Sequence, residues 1–131
     1  MLSTGTLKPY QPLLEEINKA IDTRSYRICV PALFSIIEGV AYHNWARNFY
    51  RREGRKEFFE RKLKGLQAES LGYYLRCSIR TFVDVIFDTA TSKKPLVVNR
   101  HWILHGRDIP QGTQTDCLRL LLAVGIFAEL A

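Results

Sequence analysis

The sequence predicts an all-α domain, a bundle of five or six helices with no sheet. Three observations predict it. Apolar residues recur at the spacing of a helix face, and no stretch alternates apolar and polar residues long enough for a strand. Five prolines and eight glycines in 131 residues are also too few for a turn-dense β chain. A chain of this length makes one domain, 1–131, and buries enough surface to fold without a disulfide or metal staple.

The first helix is expected over 12–23. Pro12 suits its first turn, Glu15 and Glu16 lie near its positive end, and Leu13, Leu14, Ile17 and Ile21 form its apolar stripe. The second is expected over 26–48, with Cys29, Leu33, Ile36, Ile37 and Val40 on the helical period. Pro31 falls inside it and either kinks the helix or marks its true first turn. The third, 51–67, is strongly charged and is weakened by Gly54 and Gly65. The fourth, 68–88, carries Leu71, Leu75, Phe82 and Ile86 on one stripe, widened by Val83, Val85 and Phe87, which predicts burial on more than one side.

After a break over 89–98, a short helix is expected over 99–105, stopped by Gly106. Thr113 and Asp116 stand at capping-box spacing before a last helix over 114–129. That helix is apolar nearly all round, which places it in the core or at a subunit contact. The wide apolar surfaces of the fourth and last helices predict a homodimer.

Composition excludes several classes. The chain is 47% hydrophobic and 24% charged, which fits a globular domain and not a disordered one. Cys29, Cys77 and Cys117 are odd in number and form no CxxC pair, so the expectation is reduced thiols in a cytoplasmic protein. Residues 1–9 lack the apolar stretch of a signal peptide. The longest uncharged apolar run, 120–128, is far short of the ~20 residues that span a bilayer. Gly-rich phosphate loops and GxSxG elbows are absent, and no cofactor is expected.

The net charge is +6, and +5 of it lies between Arg47 and Lys64. Arg47, Arg51, Arg52, Arg55 and Lys56 are candidate RNA-binding residues, because Phe49, Tyr50, Phe58 and Phe59 are interleaved with the basic residues and could stack on bases. The competing reading is a solvated helix face with a Glu57–Arg61 pair and the phenylalanines in the core.

Asn99-Arg100-His101-Trp102-Ile103-Leu104-His105-Gly106 holds two of the three histidines. Residues four apart share a helix face, so His101 and His105 fall together. A histidine transfers a proton near neutral pH, and an arginine binds phosphate oxygens and stabilises charge in the transition state. RNA brings its own nucleophile, the 2′-hydroxyl, so these residue types suit cleavage of its phosphodiester without a metal. A metal site would use His101 and His105 with His43, Asp108 or Glu38 as a third ligand, but no HExxH pattern is present and no metal is expected. Glu38 is either an ordinary exposed glutamate or a salt-bridge partner of Arg100 across an interface.

An arginine, a polar residue, and a histidine after four to six positions resembles the signature of the HEPN superfamily (higher eukaryotes and prokaryotes nucleotide-binding). Here these are Arg100, His101 and His105. The phrase Asn-Arg-His-x-Ile-Leu-His-Gly and the Gly112-Thr113 turn before a leucine-rich last helix look like bacterial HEPN-like proteins. The resemblance implies a helical bundle that dimerises, with two motifs meeting in one metal-independent ribonuclease site. It implies that Arg100 contacts the scissile phosphate, His105 acts as acid/base or orients the phosphate, and His101 supports them. It further implies a toxin or antiphage role, or alternatively a catalytically silent module that dimerises or holds an antitoxin or larger-chain partner.

Overall fold

The computed structural model describes residues 4–44, 51–64, 70–87, 98–105 and 113–130, and the regular structure among these is all helical. A single turn, α1 (Thr4–Leu7), passes through a 3-10 turn (Lys8–Tyr10) into α2 (Gln11–Asp22). Then come α3 (Tyr26–Asn44), α4 (Arg52–Leu63), α5 (Leu71–Phe87), α6 (Arg100–Leu104) and α7 (Gln114–Leu130). The all-α expectation holds, with helix ends shifted by a few residues. The turns over 4–10 were not anticipated, because they have no amphipathic period to announce them.

Local chemistry sets several boundaries. Ser25 N donates to Ala20 O at 2.7 Å and Arg24 N to Ile21 O at 2.9 Å, the two bonds of a Schellman stop after α2. Arg24 sits there at φ 60°, a conformation that usually falls to glycine. At the start of α7 the capping box forms in both directions. Asp116 N donates to Thr113 Oγ1 at 3.2 Å, and Thr113 N donates to Asp116 Oδ2 at 3.3 Å. Pro31 lies inside α3 with its ring exposed, on a side where solvent can reach the carbonyl of Arg27 that loses its helical donor.

The core is built around α3, whose Val30, Leu33, Phe34, Ile36, Ile37, Val40 and Ala41 are all at most 1% exposed. Its most extensive partner is α7, which buries Cys117, Leu120, Ala123, Val124, Phe127 and Ala128. On α2 only Ile17 is fully buried, with Leu13, Leu14, Ala20 and Ile21 packed beside it. Phe58 and Phe59 of α4 meet Phe127 of α7, with Phe58 stacked at 5.8 Å and Phe59 edge-on at 6.3 Å. Phe34 of α3 meets Phe87 of α5 edge-on at 5.7 Å. Each such phenylalanine contributes roughly 1.5–3 kcal/mol by leaving water, so these rings account for much of the docking of α4 and α5.

Two predicted apolar faces are only partly covered. Leu71, expected on the buried stripe of α5, is 75% exposed, and the buried residues are Val83, Ile86 and Phe87 at the other end. Leu118 and Leu122 of α7 remain 50% and 65% exposed, so the all-round apolarity of α7 divides between a core face and an open one. Among the described residues no helix is long and apolar enough to cross a membrane.

Candidate functional site

α6 carries the Arg100, His101 and His105 motif and packs on α3 and α5. Five residues are too few to hold a helix alone, so its position comes from its neighbours. Asn99 is the N-cap and is 1% exposed. Its Oδ1 accepts from Trp102 N at 3.1 Å, and its Nδ2 donates to Val85 O at 2.9 Å. Val85 O is among the last carbonyls of α5, which lack a partner within their own helix. One side chain therefore satisfies the end of α5 and the beginning of α6, and so sets the angle at which the motif leaves the core.

Arg100 turns toward α3 and pairs with Glu38. Its Nε faces Oε1, and its Nη2 donates to Oε2 at 3.4 Å. The two side chains are 23% and 29% exposed, so the pair lies at the edge of the core, where screening is partial. The sequence left Glu38 open between an exposed residue and a partner across an interface. The pair instead forms within one chain. It uses Nε and Nη2 of the guanidinium.

His105 N donates to His101 O at 3.2 Å, so the helical turn continues through His105 and places the two imidazoles on one face. Their ring centres are 4.4 Å apart with the planes tilted by 51°. His105 is exposed and His101 half-buried. The two imidazoles thus adjoin, whereas Arg100, about 100° and 140° round the helix from them, faces Glu38 on α3. Of the other metal ligands considered, Glu38 is engaged by Arg100, His43 packs edge-on against Tyr42 at 5.2 Å, and Asp108 lies outside the described residues. Among the described residues no group of three or more His, Cys, Asp or Glu side chains could hold a metal ion.

The basic segment divides. Arg51, Arg52 and Lys56 are exposed, and Arg47 lies outside the described residues, as do Phe49 and Tyr50. Arg55 needs correction as an RNA-binding residue. It is 3% exposed, its Nε donates to Asp84 Oδ1 at 3.0 Å, and its guanidinium lies 5.8 Å from the centre of the Phe87 ring. A guanidinium held there cannot meet a phosphate in solvent. Phe58 and Phe59 are likewise in the core and cannot stack on bases. Lys56 pairs with Glu60 at 3.9 Å and Arg61 with Glu57 at 3.5 Å, the solvated i,i+4 pattern.

The three cysteines are free thiols. Cys117 donates to Tyr26 O at 3.2 Å and Cys29 to Ser25 O at 3.4 Å, which ties α7 to the start of α3. Burial, with smaller contributions from Cys29 and Asp116, pushes the Cys117 thiol up to about 12, and burial raises Cys29 as well. Neither is a nucleophile at neutral pH. Comparison of the chain with family models, with curated proteins and with solved structures found no match.

Sequence reasoning missed two parts of this arrangement. Asn99 had a local signal, an N-cap residue directly before a helical run. Asp84 had none, because its partner Arg55 lies 29 residues away.

Proposed function

We propose that this chain is a metal-independent RNA endonuclease of HEPN type, acting as a homodimer with a composite site. The observation that carries this reading is the short surface turn that bears Arg100 and the adjoining imidazoles of His101 and His105, anchored by Asn99 and Glu38. Arg100 brings a guanidinium for phosphate oxygens, held by Glu38 through Nε and Nη2, and His105, exposed on the same short turn, moves the proton of the 2′-hydroxyl or of the leaving group. His101 supports His105 from the same helix face. Arg51 and Arg52 extend the cationic surface along the basic segment.

Pairing of two chains is supported by the apolar residues left open. Leu71, Tyr74 and Val85 share an outward stripe of α5, and Leu118 and Leu122 share one on α7. The biological role consistent with this chemistry is that of a toxin or antiphage effector in the cytoplasm. A second reading, a catalytically silent module that holds an antitoxin or larger-chain partner, is favoured by one observation. Glu38 already offsets the charge of Arg100, as suits a structural tie.

Incubation with single-stranded RNA in EDTA separates them. Wild type should cleave, DNA of the same sequence should survive, and Arg100→Ala and His105→Ala should each lose about a hundredfold or more. His101→Ala should lose less. Cleavage that persists in the Arg100 and His105 variants, or that EDTA abolishes, would remove the nuclease reading. No cleavage by any folded variant would leave the silent module.

A further inference from the structure

The central helix keeps one open line of residues. Pro31, Ser35 and Tyr42 of α3 are exposed, and half-buried Glu38 lies on the same line, at steps of three and four residues. α6 meets this line at Glu38, where Arg100 pairs. Tyr42 is the next residue along, one helical turn past the ion pair, and its side chain is 52% exposed. We propose that Tyr42 is a stacking platform for an unpaired nucleobase of a single strand whose phosphate lies at Arg100. This rests on the proposed role of Arg100 toward phosphate, and not on cleavage.

Spacing and surroundings both favour a base. Side chains four apart on a helix have Cβ atoms about 5–6 Å apart, about as far as a nucleobase stands from its own phosphate. Tyr42 leaves the core between buried Ala41 and the exposed polar residues His43 and Asn44, so it belongs to no apolar patch. A flat ring in polar surroundings suits a ligand that is apolar on its faces and polar at its edge. The His43 ring lies 5.2 Å away at 87°, and one perpendicular neighbour covers at most one face of Tyr42. Every base has a π-face, so stacking selects strands with unpaired bases and not a particular sequence. A duplex, whose bases already stack on one another, gains nothing from Tyr42.

Fluorescence anisotropy with two short dye-labelled oligodeoxynucleotides tests the platform, since both lack the 2′-hydroxyl and stay intact. One carries a mixed sequence, and the other is abasic with the same length and charge. Wild type should bind the base-bearing strand about tenfold more tightly than the abasic one. Tyr42→Ala should lose that preference while binding the abasic strand as the wild type does, and Tyr42→Phe should keep it. Arg100→Ala should weaken both strands. Far-UV circular dichroism checks that each variant is folded. Equal binding of the two strands by wild type would overturn the proposal, as would a preference that survives Tyr42→Ala or a loss in Tyr42→Ala that both strands share. Undiminished binding in Arg100→Ala would overturn it as well. If RNA is not cleaved but the preference and its loss in Tyr42→Ala hold, the nuclease reading fails and the platform stands.

Discussion

Glu38 on α3 and Arg100 on α6, 62 residues apart in the chain, form a two-point ion pair that joins the motif helix to the central helix of the bundle. Its partners are 29% and 23% exposed, so its worth lies between that of surface pairs, about 0–1 kcal/mol, and the roughly 3–5 kcal/mol lost when a buried pair is broken. Glu38→Ala and Arg100→Ala should each lower stability by about 1–2 kcal/mol. The double variant should lose clearly less than the two added together. Urea unfolding of the four proteins measures this, and strict additivity would show that the pair contributes nothing.

Asn99→Ala removes an N-cap and leaves a carbonyl of α5 without its donor, so a loss of about 2 kcal/mol is expected. Asn99→Asp keeps the acceptor for Trp102 N but sets a carboxylate against Val85 O. It should not recover the loss, although Asp is as good a cap as Asn elsewhere. Full stability in the Asp variant would mean that the bond to Val85 is idle.

Arg55 is expected to matter for folding and not for RNA. Arg55→Ala should cost about 2 kcal/mol, because it opens space beside Phe87 and removes the nearer cation of Asp84, which is 40% exposed and keeps Arg80 at 3.9 Å. Arg55→Met should cost less and should leave the salt dependence of RNA binding unchanged. Arg51→Ala and Arg52→Ala, at exposed positions, should each reduce the slope of log affinity against log salt by about 0.7 on a single strand. Filter binding across a salt series separates the two roles.

Gly39 lets the hydroxyl end of Tyr10 approach the backbone of α3. A Cβ at Gly39 would overlap the Tyr10 hydroxyl and sit 2.9 Å from its Cζ. Alanine is favoured over glycine inside a helix by about 1 kcal/mol, yet overpacking costs roughly 1–3 kcal/mol. Gly39→Ala should therefore destabilise the wild type by about 1 kcal/mol. In a Tyr10→Ala background the same substitution should stabilise. Thermal melts of the four proteins test for this change of sign.

Cys117 makes stability pH-dependent in the alkaline range. An unfolded thiol releases its proton near 9.0, whereas native Cys117 holds it to about 12. Between those values the unfolded chain binds fewer protons, so stability should fall as pH rises through the window. Cys117→Ala should flatten that fall. In a thiol-labelling experiment on native protein Cys77, which is half-exposed, should react first, and Cys29 and Cys117 only on unfolding.

What could be read from the sequence was local. The stripe of α3, the Thr113–Asp116 box and the Glu57–Arg61 pair all lie within one or two helical turns, where spacing alone dictates who meets. The error at Arg55 has a physical origin. Arg55 shares its helix face with Phe58 and Phe59, so the period already grouped a charge with two core rings. Whether that face met solvent or protein depended on Asp84 and Phe87, which no pattern within α4 announces. The sequence offered Glu38 as a partner of Arg100 only across an interface, because the pair closes within one chain only when α3 and α6 pack. Arg47, Phe49 and Tyr50 lie outside the described residues.

The brevity of α6 has a consequence for where its shape comes from. A peptide copied from residues 99–105 would contain every letter of the motif and none of its shape, since a free segment that short does not stay coiled in water. The angle at which the turn meets the bundle is lent to it by Val85 and Glu38, residues that take no part in the motif. Loosening the end of α5 or removing the Glu38 carboxylate would release the turn while most of the bundle stayed folded. The domain is built so that the turn bearing Arg100, His101 and His105 is intact only when distant parts of the chain have already found one another.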